Sequence, residues 1–274
     1  MNDVNVKADL AIGTVDGFSV AADLYRPSVD LPPLVIYVHG GGWQLGDKTD
    51  GASDRLVKLA SYGVAVLSVN YRLAPAANYP NPIHDVKAAV RWARAHASTL
   101  DVGGDRIGVW GASAGAYLAA MVGLTDGDAD LEGEVGGNLD QSSRVDAVVS
   151  WFGPSDLAAN SRRSPVEAFL LPPPFETVLL GEGEIESPTA ASWHASPLSR
   201  VHRAAPPFLI AHGDCDRITP LSESRRLHEA LTTSGAVSTF TILGGAGHEG
   251  SEFDSDTNLA QTAAFFRAHL TPHA

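Results

Sequence analysis

Short apolar runs that end near glycine alternate with segments of helical spacing along most of the chain. Residues 34–40 read LVIYVHG and residues 64–71 read VAVLSVNY, and both have the β-branched composition of strands buried on both faces. The segment between them, residues 50–63, places its leucines at helical spacing and closes on Gly63. This order predicts a strand, helix, strand unit whose two strands run parallel in one sheet.

The same alternation continues towards the C-terminal end of the chain. Further helices are predicted over residues 83–97, 113–124, 220–233 and 256–269, and further strands over residues 106–110, 145–153, 206–213 and 237–245. We therefore expect the α/β class, with a parallel sheet and helices on both of its faces. A length of 274 residues suits one such domain, which we place at residues 1–274.

Two stretches interrupt the alternation. Residues 126–143 are acidic and rich in glycine, which predicts an exposed loop. Residues 155–200 show no steady period and form an insertion. If this insertion is a lid, its large apolar residues line an acyl or alcohol pocket; these are Phe169, Leu170, Leu171, Phe175 and Trp193. Packing of the same residues onto the body of the domain is the other interpretation, and the sequence leaves both open.

Glycines flank Ser113 at the point where a predicted strand meets a predicted helix. Gly111, Ser113 and Gly115 form the pattern G-x-S-x-G within GVWGASAGAYLAA. A serine at such a corner is either a helix cap or a nucleophile held above the edge of the sheet. A neutral serine needs a base within hydrogen-bond reach and a third group that orients this base.

Candidates for that base and that third group follow two later strands. Asp216 lies in HGDCD after the strand at 206–213, and His248 lies in GHEG after the strand at 237–245. Both therefore belong to the carboxyl edge of the sheet, where Ser113 is expected. Asp214 competes with Asp216 as the acid, whereas Asp156 is explained more simply as a helix cap.

The motif HGGGW at residues 39–43 supplies candidate donors for an oxyanion. Acyl transfer places negative charge on a carbonyl oxygen, which backbone N–H groups stabilise. Glycines allow such a close approach, so the candidates are Gly41, Gly42 and the amide of Ala114. A phosphate loop is the alternative, but it requires G-K-[ST] or G-x-G-x-x-G, and neither follows here. His39 is expected to brace this loop through its ring nitrogens.

Together, HGGGW, YRLAP at residues 71–75, GASAG, HGDCD and GHEG resemble the α/β-hydrolase carboxylesterases. The resemblance is to the hormone-sensitive-lipase-like esterases and the shorter bacterial feruloyl- and acetyl-xylan-esterase-like branch. It implies an α/β-hydrolase fold with a mostly parallel central sheet, and it favours Asp216 over Asp214 as the acid.

The resemblance also implies a serine esterase that needs no cofactor and acts on short-chain or small aromatic esters. Trp43, Phe175 and Trp193 are the candidate substrate contacts. No catalytic metal is expected, because H-E-x-x-H and Cys/His clusters are absent from the sequence. Arg72 of YRLAP and Asp85 on the next helix are expected to form an ion pair.

Two other functions are compatible with the same scaffold. An arylformamidase or a prolyl-peptidase-like amidase uses the same triad chemistry on amides. A small-molecule receptor without catalysis is the second alternative, but receptors of this group carry a damaged triad and His248 is present.

The formal net charge of −13 opposes binding to phosphate backbones and anionic lipid, so nucleic acid is not an expected partner. No run of about 18 apolar residues predicts a membrane span. The N-terminal stretch MNDVNVKADLAIG lacks the features of a signal peptide, and Cys215 is the only cysteine. A cytoplasmic location is therefore expected, and a homodimer is left open.

Overall fold

One sheet contains all eight strands of the described residues, which are 2–162, 174–181 and 189–271 of the computed structural model. The strands are β1 (Val4–Val15), β2 (Phe18–Pro27), β3 (Pro33–Val38), β4 (Ala65–Val69), β5 (Gly103–Ala112), β6 (Ala147–Trp151), β7 (Phe208–Gly213) and β8 (Ser238–Leu243). Their order across the sheet is β1-β2-β4-β3-β5-β6-β7-β8. The strands from β4 to β8 in this order are parallel, as the alternating pattern predicts.

Helices connect these strands. They are α1 (Val57–Ser61), α2 (Asn81–Leu100), α3 (Ala114–Leu124), α4 (Ala129–Glu132), α5 (Leu157–Asn160), α6 (Phe175–Leu180), α7 (Ala190–His194), α8 (Leu221–Ser234) and α9 (Asp256–Leu270). The helix predicted over residues 50–63 is a π-helical turn, Ala52–Leu56, followed by α1. Buried side chains form one cluster on the face that α2, α3 and α8 cover and another on the face that α1 and α9 cover.

The sheet is mostly parallel, as the resemblance implies, and its two antiparallel strands are β1 and β2, neither of which is predicted from the sequence. β1 pairs antiparallel with β2, and β2 pairs antiparallel with β4. The turn between them contains Asp16 and Gly17, both with positive φ (51° and 78°). Positive φ at both central residues is the geometry of a type I′ hairpin turn, for which Asp-Gly is a strong sequence signal. No strand is predicted in this region, although apolar residues recur at every second position over the first half of β1, a strand that is largely exposed.

The acidic segment 126–143 is fastened to α2 and is not a free loop, although many of its residues are exposed. The ammonium of Lys87 and the guanidinium of Arg91, both buried, bind the carboxylate of Glu132 at 2.8 and 3.1 Å. Arg94 donates hydrogen bonds to the backbone carbonyls of residues 142 and 144. Acidic and glycine-rich composition indicates exposure, but it does not show that buried cations on α2 are available as partners.

Candidate active site

The corner at Ser113 has a backbone conformation that few residues other than glycine adopt (φ 54°, ψ −120°). Its N–H donates a hydrogen bond to the carbonyl of Trp151 at 2.9 Å. A Cβ on Gly111 would overlap the carbonyl of Gly115, and a Cβ on Gly115 would overlap that of Val38. The two glycines are therefore required by the close approach of backbone to backbone. The Ser113 side chain makes no capping hydrogen bond to α3, so the capping interpretation is wrong.

The hydroxyl of Ser113 faces an imidazole and a carboxylate in sequence. The Nε2 atom of His248 lies 2.9 Å from Ser113 Oγ, and its Nδ1 atom lies 2.8 Å from Asp216 Oδ2. Nδ1 must donate to the carboxylate, which leaves Nε2 to accept the hydroxyl proton. The imidazole also packs edge-on against the buried ring of Phe152, with ring centroids 4.7 Å apart. These contacts give the geometry of a nucleophile, a base and an orienting acid.

Asp216 is held as an ionised acceptor. Its Oδ1 accepts the backbone N–H groups of Ile218 and Thr219 at 2.8 and 3.0 Å. Burial raises the pKa of Asp216, but hydrogen bonds from His212 and His248 outweigh that effect and hold the pKa well below its usual range. The carboxylate is therefore charged whenever the imidazole needs a partner.

The two competing acids have local structural roles. The Asp214 carboxylate accepts the N–H of Gly245 at 2.7 Å and lies on the surface. The Asp156 carboxylate accepts the N–H of Ala159 at 3.0 Å and caps α5, as predicted. The described structure thus brings Asp216, and neither of these carboxylates, to the imidazole.

The glycine loop lies directly against the serine corner. A Cβ on Gly40 would lie 3.4 Å from Ser113 Cβ. Gly41 and Gly42 both have positive φ (103° and 59°), which glycine adopts without strain. Within the described part of the chain, the N–H groups of Gly41, Gly42 and Ala114 have no hydrogen-bond acceptor. The three N–H groups predicted to bind an oxyanion are therefore without a partner among the described residues.

His39 supports this loop through a ring nitrogen, as predicted. Its Nδ1 atom lies 2.8 Å from the carbonyl of Gly40, and its ring stacks on Tyr71 at 4.4 Å between centroids. The Tyr71 hydroxyl donates to the His39 carbonyl at 3.1 Å. Burial lowers the pKa of His39, so the ring is neutral and Nδ1 carries the hydrogen that it donates.

The three candidate substrate contacts lie in different environments. Trp43 is only 1% exposed, and its indole packs edge-on against Tyr117 in the core. Phe175 is 42% exposed and lies against the oxyanion loop, where a Cβ on Gly42 would come within 2.6 Å of its ring. Trp193 is 49% exposed on α7. Among the three, Phe175 is therefore the one in contact with the glycine loop, whereas Trp43 is a core residue.

The described part of the insertion is anchored to the loop that follows YRLAP. The Asn78 side chain donates to the carbonyl of Val178 at 2.6 Å, and the N–H of Tyr79 donates to that of Leu179 at 2.8 Å. These bonds fix helix α6, which begins at Phe175. The residues at 169–171, also predicted to line the pocket, lie outside the described residues.

Sequence reasoning missed an arginine that holds the segment after His248. The guanidinium of Arg55 donates to both carboxylate oxygens of Asp254, at 2.7 and 3.1 Å, and to the Tyr37 hydroxyl at 3.0 Å. It also lies over the ring of Trp151 at 5.3 Å. Nothing in the sequence marks this contact, because the two ionised residues are about 200 positions apart.

Neither a metal-binding cluster nor a helix able to cross a membrane occurs among the described residues. Residues 2–162, 174–181 and 189–271 contain no group of three or more His, Cys, Asp or Glu side chains with the geometry to hold a metal ion. Within those ranges, no helix combines the length and the apolar character needed to cross a bilayer. Cys215 is a free, exposed cysteine, and a hydrogen bond with Asp214 raises the pKa of its thiol.

Known proteins resemble the chain in both sequence and structure. Residues 22–231 match the family model BD-FAE. The chain is 37% identical over 233 residues to Esterase LipC of Mycobacterium tuberculosis, covering 82% of this chain and 56% of that protein. It is 33% identical over 207 residues to Esterase LipQ of the same organism, covering 74% and 47%. The chain thus spans about half the length of these relatives.

Among solved structures, a truncated form of a carbohydrate esterase from gut microbiota superposes with a TM-score of 0.85 at 29% identity. The superposition covers 98% of this chain and 97% of the other. The fold of nearly the whole chain therefore has a counterpart of known structure.

Proposed function

The chain belongs to the BD-FAE family of α/β-hydrolase carboxylesterases, and we propose that it is a serine carboxylic ester hydrolase with Ser113 as its nucleophile. One observation carries this proposal: the continuous hydrogen-bonded chain from Ser113 Oγ through His248 to Asp216, with distances of 2.9 and 2.8 Å. The reaction needs no further group from outside the chain apart from the ester and water.

In the first half of the proposed reaction, Ser113 Oγ attacks the ester carbonyl carbon while His248 Nε2 takes the hydroxyl proton. Asp216 accepts the Nδ1 hydrogen and stabilises the imidazolium that forms. The bond from the carbonyl carbon to the alcohol oxygen then breaks, and His248 returns the proton to that oxygen. The alcohol leaves, and the acyl group stays on the serine.

In the second half, a water molecule attacks the acyl-enzyme with His248 again acting as base. The carboxylic acid is released and Ser113 regains its proton. In both halves the carbonyl oxygen carries negative charge, which we assign to the N–H groups of Gly41, Gly42 and Ala114. Such donors lower the barrier by about 3–4 kcal/mol each in related chemistry.

We assign short acyl groups or small aromatic esters as substrates. The ring of Phe175 lies against Gly42, so it covers the loop that receives the carbonyl oxygen. A half-exposed aromatic ring at this place limits the space for a long acyl chain and offers an apolar surface to a short one. Trp43 is buried, and we assign it to the support of the loop.

The proposal is tested with a fluorophosphonate probe and with p-nitrophenyl acetate. The wild-type protein is expected to react with the probe and to release p-nitrophenol, and Ser113→Ala is expected to do neither. Cys215→Ser is the matched control, and it should retain both reactions because the thiol lies outside the triad. Labelling that persists in Ser113→Ala contradicts the assignment of the nucleophile.

The same preparation separates the ester reaction from the two alternatives. Faster turnover of N-formyl or dipeptide substrates than of esters would favour an amidase. A folded wild-type protein that does not react with the probe would favour a receptor. A cytoplasmic location, a homodimer and the assignment of residues 1–274 to one domain stay predictions.

A further inference from the structure

A second buried histidine lies on the far side of the triad carboxylate. His212 is at the end of β7 and its side chain is fully buried. Its Nε2 atom lies 3.2 Å from Asp216 Oδ2 and 2.9 Å from the carbonyl of Thr219. Its Nδ1 atom lies 2.7 Å from the hydroxyl of Ser224, a buried residue in the first turn of α8. Two residues of the motif HGDCD, His212 and Asp216, therefore meet at this site.

The neighbours of His212 determine where its hydrogen lies. Nε2 faces a carbonyl oxygen and a carboxylate oxygen, and neither is able to donate, so Nε2 carries the hydrogen. In the neutral ring Nδ1 is then an acceptor, and Ser224 donates its hydroxyl hydrogen to it. Every polar atom of the ring thus has a partner of the right type.

The Asp216 carboxylate accepts hydrogen bonds on both of its oxygens. Two backbone N–H groups, those of Ile218 and Thr219, hold Oδ1. Oδ2 faces two imidazoles, of which only that of His248 contacts the serine. The single Nε2 hydrogen of His212 is shared between the Thr219 carbonyl at 2.9 Å and Oδ2 at 3.2 Å, so His212 supports Oδ2 through the longer of these two contacts and does not contact the reacting atoms. If this donor is lost, the carboxylate keeps the backbone contacts on one side but gains freedom to turn on the other.

We propose that His212 and Ser224 are positioning residues for the hydrolytic reaction, extending the triad to a hydrogen-bonded chain of five side chains. Ser224 fixes the ring of His212, His212 fixes Oδ2 of Asp216, and Asp216 fixes the imidazole that exchanges protons with the nucleophile. This inference rests on the proposed esterase function. It assigns a role to the first residue of HGDCD and to a helix that lies outside the active-site loops.

The first test compares two buried serines, Ser224 in the first turn of α8 and Ser155, which binds that turn. Ser224→Ala removes the hydroxyl that binds His212, and Ser155→Ala removes a buried hydroxyl that binds Glu223 of this turn. Both variants lose a buried side-chain hydrogen bond, so both lower the thermal stability. We expect Ser224→Ala to lower kcat about tenfold with KM changed less than about twofold, because a lost orienting bond raises the barrier to chemistry. Ser155→Ala is expected to keep kcat.

A second pair of variants asks whether the donor at Nε2 is what matters. His212→Leu removes the donor, whereas His212→Gln offers an amide N–H at a similar reach. We expect His212→Leu to lower kcat about 100-fold and His212→Gln to recover about tenfold of that loss. Each variant is assayed well below its own melting temperature. If His212→Leu does not fold, kcat of Ser224→Ala decides the question, with Ser155→Ala as its control.

The third test is a double-variant cycle with Asp216→Asn. If His212 acts through the carboxylate, adding His212→Leu to Asp216→Asn is expected to change kcat less than about twofold. The carboxylate that His212 orients is already absent from Asp216→Asn. A merely structural role would multiply the two losses. Wild-type kcat in both Ser224→Ala and folded His212→Leu, or full multiplication in the cycle, overturns the inference. Failure of the proposed function is distinct, because Ser113→Ala and Asp216→Asn would then leave turnover unchanged.

Discussion

The ion pair between Arg72 and Asp85 connects the loop after β4 to helix α2, as the sequence predicts. The Asp85 side chain is 0% exposed and accepts the Arg72 backbone N–H at 2.8 Å and its Nε and Nη2 groups at 2.9 Å. Arg72→Ala leaves this carboxylate buried without its cation. Breaking a buried pair from one side costs about 3–5 kcal/mol, because a charge then remains without compensation. For a chain of this size such a loss lowers Tm by about 5–10 °C.

The assay measures the free energy of unfolding in urea together with kcat/KM on p-nitrophenyl acetate at a temperature where every variant is folded. Arg144→Ala is the control, since the Arg144 side chain is 62% exposed in its pair with Asp146. An exposed pair contributes about 0–1 kcal/mol, so this variant should resemble the wild type. The double variant Arg72→Met with Asp85→Asn removes both charges and is expected to recover part of the lost stability.

Arg72 lies outside the chain of contacts from Ser113 to Asp216, so we expect kcat/KM of folded Arg72→Ala to stay within about threefold of wild type. A variant with wild-type stability and a collapsed kcat/KM would refute this reasoning. It would show that Arg72 acts on the chemistry and that the buried pair contributes nothing to folding.

Two further substitutions test other parts of the site. Gly42→Ala is expected to lower kcat/KM at least about tenfold, because the new Cβ meets the ring of Phe175 at 2.6 Å and the backbone φ is +59°. The combination with Phe175→Ala should recover part of the loss in the same ester assay. No recovery would mean that backbone strain alone is responsible. Asp216→Asn tests the pH dependence of stability: the folded-state pKa of Asp216 is lowered, so the stability that its charge contributes is complete above about pH 5 and is lost as the pH falls below about 4. Urea unfolding should show the difference between wild type and Asp216→Asn shrinking below that pH, and a difference that stays constant would contradict the assignment.

The parallel strands and the triad could be predicted because their signals are local. A strand buried on both faces has to be apolar throughout, so β3 and β4 stand out from their surroundings. The triad residues follow the ends of such strands, and the topology brings these ends to one edge. The two glycines beside Ser113 are also a local signal, because backbone atoms occupy the space of any side chain there.

Other features depend on partners far away in the chain. The burial of Trp43 depends on Tyr117, and the burial of Lys87 depends on Glu132. Residue type alone predicts that a cation is exposed and that a tryptophan after a glycine loop faces the substrate. The hairpin of β1 and β2 is different, since its Asp16-Gly17 turn is a recognisable signal. The apolar residues at every second position over the first half of β1 agree with it.

The order of the strands explains how the three groups that we propose to be catalytic meet. β5, β6, β7 and β8 are consecutive neighbours in the sheet, and each contributes one residue at its carboxyl end: Ser113, Phe152, Asp216 and His248, respectively. Neighbouring strands lie about 4.8 Å apart, so β8 is about 14 Å from β5. The histidine therefore has to cross over two strands to reach the serine. The buried ring of Phe152, at the end of a strand between them, supports the imidazole where it arrives.

The crossing also explains the glycine of HGDCD. A Cβ on Gly213 would overlap the carbonyl of Ala246, so only glycine lets the histidine loop pass this closely over the end of β7. The same carbonyl accepts the N–H of Cys215 at 2.9 Å, which fastens the loop in place. Three residues of this short motif therefore contribute to the site. His212 contacts Asp216, Gly213 leaves room for the loop that carries His248, and Asp216 contacts both histidines. The glycine in this motif thus allows His248, which follows the edge strand β8, to reach Ser113 at the end of β5.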